Sequence, residues 1–135
     1  EPVSRFMQPN AITVNPAISI DDLVEDYIYR YHYKMFPVVE DSRLVGCITT
    51  REVKEIPREE WSQHRVGEYL HKCSPQNTIG PNEDSMKALS TMNRTGSSRL
   101  IVVDEDRLLG VIALKDMMKF LSLKVELGDD NNVNA

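Results

Sequence analysis

The sequence predicts an α/β (α+β) fold of two β-α-β-β-α repeats packed with pseudo-two-fold symmetry. Three observations carry that expectation: an ungapped internal repeat, a helical periodicity ahead of each copy, and a length that suits two half-size units sharing one core. The repeat is the strongest of the three. Phe36-Pro37-Val38-Val39-Glu40-Asp41-Ser42-Arg43-Leu44-Val45-Gly46-Cys47-Ile48-Thr49 runs in step with Leu100-Ile101-Val102-Val103-Asp104-Glu105-Asp106-Arg107-Leu108-Leu109-Gly110-Val111-Ile112-Ala113, 64 residues later. Each copy is an apolar run, an acidic turn with one Arg, and a second apolar run containing a Gly. That pattern reads as a β-hairpin. Gly46 and Gly110 then mark a bulge or a close backbone approach.

The other elements follow in chain order. Val3-Ser4-Arg5-Phe6-Met7 and its echo Val66-Gly67-Glu68-Tyr69-Leu70 each sit just ahead of a repeat. Ile12-Thr13-Val14, before Pro16, and Thr78-Ile79, before Pro81, read as short strands. Ile20, Leu23, Val24, Tyr27, Ile28 and Tyr31 recur at steps of three and four, which predicts an amphipathic helix. Ser19 and Asp22 give it a capping-box-like start. Met86, Leu89 and Met92 repeat the pattern and stop at Gly96. Helical stretches follow both hairpins, at residues 51–56 and 114–123, and Pro57 ends the first. The expected organisation is repeat 1 at 3–58, a linker at 59–65, repeat 2 at 66–124, and a disordered polar tail at 125–135. A half of about 60 residues is marginal alone, so the two sheets should pack face to face and leave clefts between them.

Composition excludes several functions. In 135 residues, 16 Lys and Arg face 21 Asp and Glu, a net charge of −5, which does not suit general nucleic-acid binding. The 41% apolar content is too high for a disordered chain at this charge. No apolar run is long enough for a membrane span, and no signal-peptide pattern opens the chain. Two cysteines cannot make a disulfide framework, so a reducing, cytoplasmic setting is expected. Cys47 reads as a core thiol and Cys73 as an exposed one. Glu1 in first place suggests a fragment of a longer protein or a processed chain. With no HExxH, P-loop, GxGxxG or CxxC, the expectation is a non-catalytic piece with no metal site.

Polar groups gather where each hairpin feeds a helix. In the first copy, Thr49 and Glu52 either meet a ligand, hydroxyl to phosphate and carboxylate to ribose, or simply cap the helix. In the second copy Asp116 is kept, but Ala113 stands where Thr49 does. Arg51 and Lys115 either face a phosphate or solvent. Ser97, Ser98 and Arg99 form a second polar edge with the same two readings. The dense set Tyr27, Tyr29, Tyr31 and Tyr33 cannot share one helical face. Tyr27 and Tyr31 are expected in the core and Tyr29 and Tyr33 near an edge, where a partner surface is the alternative to packing. His32 is expected to be partly buried and hydrogen-bonded. Trp61 either pins the linker to the body or touches a partner.

The two runs Phe36-Pro37-Val38-Val39 with Leu44 to Val53, and Arg99 to Val103 with Leu108 to Met117, resemble a tandem pair of CBS domains, the Bateman module. The resemblance implies a regulatory module that binds AMP, ADP, ATP or S-adenosylmethionine between its repeats and requires no cofactor. Carried over, nucleotide site 1 comprises Thr13, Val14, Pro37, Val38, Thr49, Arg51 and Glu52. Site 2 comprises Thr78, Ile79, Ile101, Val102, Ala113, Lys115 and Asp116. Glu52 replaces the family's usual Asp, and Ala113 its usual hydroxyl residue. The run Leu23 to Val38, followed by Val53 to Trp61, is similar to CBS pairs carried by site-2-protease-type membrane zinc metallopeptidases. That similarity implies a cytoplasmic regulatory domain, commonly a homodimer, attached to a catalytic membrane domain. The alternative reading is a CBS pair with degenerate sites that serves dimerisation or protein interaction.

Overall fold

The computed structural model describes residues 1–128. In the first repeat, Ile20–Asp22, Leu23–Ile28 and Tyr29–Tyr31 form one continuous helix, α1, begun by the Ser19 hydroxyl accepting from the Asp22 N–H at 3.0 Å. Its middle piece has π-type turns rather than the expected α period. Such turns bring residues four and five apart onto one face. This suits Leu23 and Val24, which are buried, and Tyr27, Ile28 and Tyr31, which pack half-buried beside them. The helix ends at His32, whose φ of 60° is left-handed. His32 is exposed, contrary to its expected partial burial.

The hairpin of β1 (Met35–Glu40) and β2 (Arg43–Thr49) follows, antiparallel, with a bulge between Val38 and Val39 opposite Gly46 and Leu44. The expected leading strand shrinks to one residue. Val14 donates to Pro37 O at 3.0 Å and accepts from Val39 N at 2.9 Å. Helix α2 (Thr50–Lys54) is one turn long and stops before Pro57. Trp61, in the turn Arg58–Gln63, donates its Nε1 hydrogen to Ile56 O at 2.9 Å and packs on this core, so it pins the linker.

The second repeat is built alike. Strand β3 (Thr78–Ile79) pairs in parallel with β4 (Arg99–Asp104), which is antiparallel to β5 (Arg107–Ala113). Helix α3 (Ser85–Thr95) is capped by Asp84 and ended by Gly96 at φ 74°, and α4 (Leu114–Glu126) follows β5. Helix α4 therefore passes the boundary expected at 124. The rest of the tail, 129–135, lies outside the described residues.

The segments ahead of the repeats do not pack where their order suggests. Val3, Phe6 and Met7 join the second repeat's core, beside Ile79, Leu100 and Ile112. Val66, Tyr69 and Leu70 join the first, beside Ile20, Phe36 and Ile48. Val3 and Val66 are both 0% exposed. Each of these segments, here called straps, continues into a one-residue antiparallel bridge. Gln8 and Val111 exchange two backbone bonds, at 2.8 and 3.0 Å, and Cys47 and His71 exchange two, at 2.9 and 2.8 Å. The repeats thus complete each other, an exchange that chain order conceals.

The hairpin glycines let the straps in. A Cβ on Gly46 would stand 2.2 Å from His71 O, and one on Gly110 2.3 Å from Gln8 O. Both neighbours are backbone and cannot swing away. Between the two sheets, Leu44, Cys47 and Ile101 are buried together, flanked by Met35, Val39, Val103 and Leu108. Leu44 N also donates to Asp106 O across the interface at 3.3 Å. Gly46→Ala and Gly110→Ala should each cost about 1–3 kcal/mol, the usual range for overpacking, read as a lower urea midpoint. Gly96→Ala has open space around the added carbon and pays only for its positive φ, so it should cost less than either. An unchanged midpoint in Gly46→Ala would contradict the crossing.

Candidate ligand clefts between the repeats

The crossing straps open two clefts related by the pseudo-two-fold, each walled by both repeats. The first, about 540 Å³, combines the β2–α2 junction (Thr49, Thr50, Arg51, Glu52) with the second strap (His71 to Asn77) and the α3–β4 loop (Thr95 to Arg99). The second, about 500 Å³, combines the β5–α4 junction (Ala113, Lys115, Asp116) with the first strap (Gln8 to Ile12) and the α1–β1 loop (Tyr31 to Tyr33). Both volumes suit a nucleotide-sized ligand. Met35 and Arg99 line both clefts.

The sequence-assigned sets regroup in space. Thr49, Arg51 and Glu52 line the first cleft, together with Ile101, which was assigned to the other set. Ala113, Lys115 and Asp116 line the second, together with Pro37 from the first set. Val14, Val38, Ile79 and Val102 are core residues, each at most 4% exposed, and none lines a cleft. Thr13 and Thr78 line neither, and Thr78 Oγ1 donates to Ser74 O at 2.8 Å. The reason is the period of two along a strand. At the positions assigned from the leading strands and first hairpin strands, one face enters its own repeat's core. Pro37 and Ile101 sit on the opposite face. The strap residues were missed altogether, although the echo of Val3 to Met7 in Val66 to Leu70 was their signal.

At the first junction, Thr49 and Glu52 form a closed capping box on α2. Glu52 Oε1 accepts from Thr49 N at 2.7 Å, and Thr49 Oγ1 donates to the carboxylate at 2.9–3.0 Å. Thr49 Oγ1 also accepts from Arg51 N at 3.2 Å, and His71 Nε2 lies 3.2 Å from Glu52 Oε2. Of the two readings of this pair, the cap is formed. Glu52 is buried, whereas Arg51 is exposed. At the second junction Ala113 has no side-chain cap to offer, and the carboxylate of Asp116, half-buried, makes no hydrogen bond or ion pair with a described residue.

Cys47 also lines the first cleft and is buried. Burial, and then the nearby Glu52 charge, pushes its thiol up to about 11, so it stays protonated and unreactive near neutral pH. Cys73 is exposed. No group of three or more His, Cys, Asp or Glu among the described residues is placed to hold a metal ion. No helix there is long and apolar enough to cross a membrane.

Comparison with known proteins places this geometry. The CBS domain profile matches residues 3–59 and 66–123. A zinc metalloprotease of Methanocaldococcus jannaschii is 32% identical over 127 residues, 92% of this chain and 34% of that protein. The chain thus spans about a third of that relative's length. The CBS domain of a bacterial CNNM/CorC family Mg2+ transporter, solved in complex with ATP, gives a TM-score of 0.74 at 22% identity over 87% of this chain and 84% of that one. A CBS domain pair solved with 5′-methylthioadenosine and S-adenosyl-L-methionine gives 0.77 at 20% identity over 92% and 98%.

If Thr49 is foremost a cap, Thr49→Ala should cost about 1 kcal/mol in urea unfolding. The reverse change at the uncapped second junction, Ala113→Thr, should not lower stability by that amount. Equal stability of Thr49→Ala and the parent chain would contradict the capping role.

Proposed function

The chain belongs to the CBS-domain family as a tandem pair, a non-catalytic regulatory module, and we propose that it senses an adenine nucleotide or adenosyl ligand on behalf of a larger protein. The observation that carries this reading is the Asp116 cleft. There an unengaged carboxylate, able to accept from ribose hydroxyls, stands beside Lys115, Arg99 and an apolar wall of Ile12, Met35, Pro37 and Val111. The ligands in the two similar structures, ATP and adenosyl compounds, have the groups such a wall would meet.

We further infer that the parent is a membrane zinc metallopeptidase and that this chain is its cytoplasmic regulatory domain. The 32% identity to a zinc metalloprotease and the run from Leu23 to Trp61 support that reading. Each cleft is walled by both repeats, so a bound ligand touches two bodies joined by crossing straps. A ligand that prefers one arrangement of the repeats biases whatever is attached to them, and only by the difference in its affinity for the two arrangements. Dimerisation through a second copy is compatible with this mechanism.

A second reading, a pair with degenerate sites that serves association, is favoured by the occupation of Glu52 in its cap. Calorimetric titration with AMP, ADP, ATP and S-adenosylmethionine decides between them. Saturable binding of at least one, weakened by Asp116→Ala about tenfold or more, the usual weight of a hydrogen bond to a charged group, is expected. No heat from any of the four at millimolar concentration would leave the association reading standing instead.

A further inference from the structure

Because the two clefts are related by pseudo-symmetry, every difference between equivalent positions marks a difference in what each can hold. The turn Tyr31-His32-Tyr33 borders the Asp116 cleft, and its counterpart at the Glu52 cleft is Thr95-Gly96-Ser97. His32 and Gly96 are the matching left-handed residues, at φ 60° and 74°. Tyr31 and Tyr33 are stacked, centroids 5.9 Å apart and planes 24° apart, and so offer an aromatic edge that the other cleft replaces with hydroxyls and a glycine. Planar rings and cationic groups both favour such a wall.

The carboxylates differ as well. Glu52 already takes the Thr49 N–H, the Thr49 hydroxyl and the His71 imidazole. A carboxylate has about four acceptor positions, so about one is left, too few for both hydroxyls of a ribose unless the α2 cap or the His71 contact opens. Asp116 has no such engagement. The cation balance runs the other way: Lys34, Arg51, Lys72 and Arg99 line the Glu52 cleft against one acid, whereas Arg99 and Lys115 line the Asp116 cleft.

Resting on the reading of these clefts as ligand sites, we infer that they divide the chemistry. The Asp116 cleft takes the adenosyl group, and the Glu52 cleft takes a polyphosphate anion without holding a ribose. Ser98 adds a hydroxyl donor beside the four cations, whereas the Ser97 hydroxyl already donates to Arg99 O at 2.8 Å.

Titration of the full chain with adenosine and with inorganic tripolyphosphate tests this, using Asp116→Asn and the double variant Lys34→Gln/Arg51→Gln. All three positions lie outside the two apolar cores. One adenosine per chain is expected, weakened about tenfold by Asp116→Asn and unchanged in the double variant. Tripolyphosphate should lose about tenfold in the double variant and nothing in Asp116→Asn. Two equivalent adenosine positions per chain would overturn the division. So would adenosine weakened only by the double variant, or tripolyphosphate indifferent to it; in each of these cases adenine sensing survives. If neither adenosine nor any adenine nucleotide binds, the sensing reading itself fails, and the adenosyl assignment fails with it.

Discussion

Two pairs of backbone hydrogen bonds, Gln8 with Val111 and His71 with Cys47, tie each strap to the outer edge of the other hairpin. They form only because Gly46 and Gly110 leave the space that a side chain would fill. The straps carry Val3 and Val66 into cores that would otherwise be open at one end. Neither repeat can close its core with contiguous chain alone. Two halves of marginal size thereby become one cooperative unit.

The same crossing builds the clefts. A strap leaving the edge of one hairpin must run past the other repeat's loop before it enters that repeat's leading strand, and the space it frames is walled from both sides. The clefts are therefore a consequence of how the cores are completed. Their chemical inequality then comes from few positions. Thr49 with Glu52 closes a cap, while Ala113 leaves Asp116 unengaged. Tyr31-His32-Tyr33 faces one cleft where Thr95-Gly96-Ser97 faces the other.

Much of the fold was legible in the sequence because its signals are local. The ungapped repeat gave both hairpins, the glycines announced a close approach, and Pro57 limited α2. The strap exchange was not legible, since periodicity records which face is buried and not which core receives it. The π turns in α1 escaped for a related reason: steps of three and four in Leu23, Val24, Tyr27 and Ile28 do not distinguish a wide turn from an ordinary one. The β-to-α junction residues line the clefts they were assigned to, because helix starts carry readable chemistry. Val14, Val38, Ile79 and Val102 face the cores rather than a cleft, because assigning a strand to a site does not say which of its alternating side chains faces it. Pro37 and Ile101 line the cleft opposite to the set each was assigned to, because the partner of each junction lies in the other repeat.

Hydrogen exchange on a chain beginning at Pro9, which lacks the core-packing and hydrogen-bonded part of the first strap (residues 1–8), tests this account most directly. The β4–β5 hairpin should lose protection along its whole length, and β1–β2 should follow in the same unfolding transition, because the two cores share one structure. Full retention of protection at Leu100 to Ala113 without residues 1–8 would show that the second repeat closes its own core, and the dependence on crossed straps would be wrong.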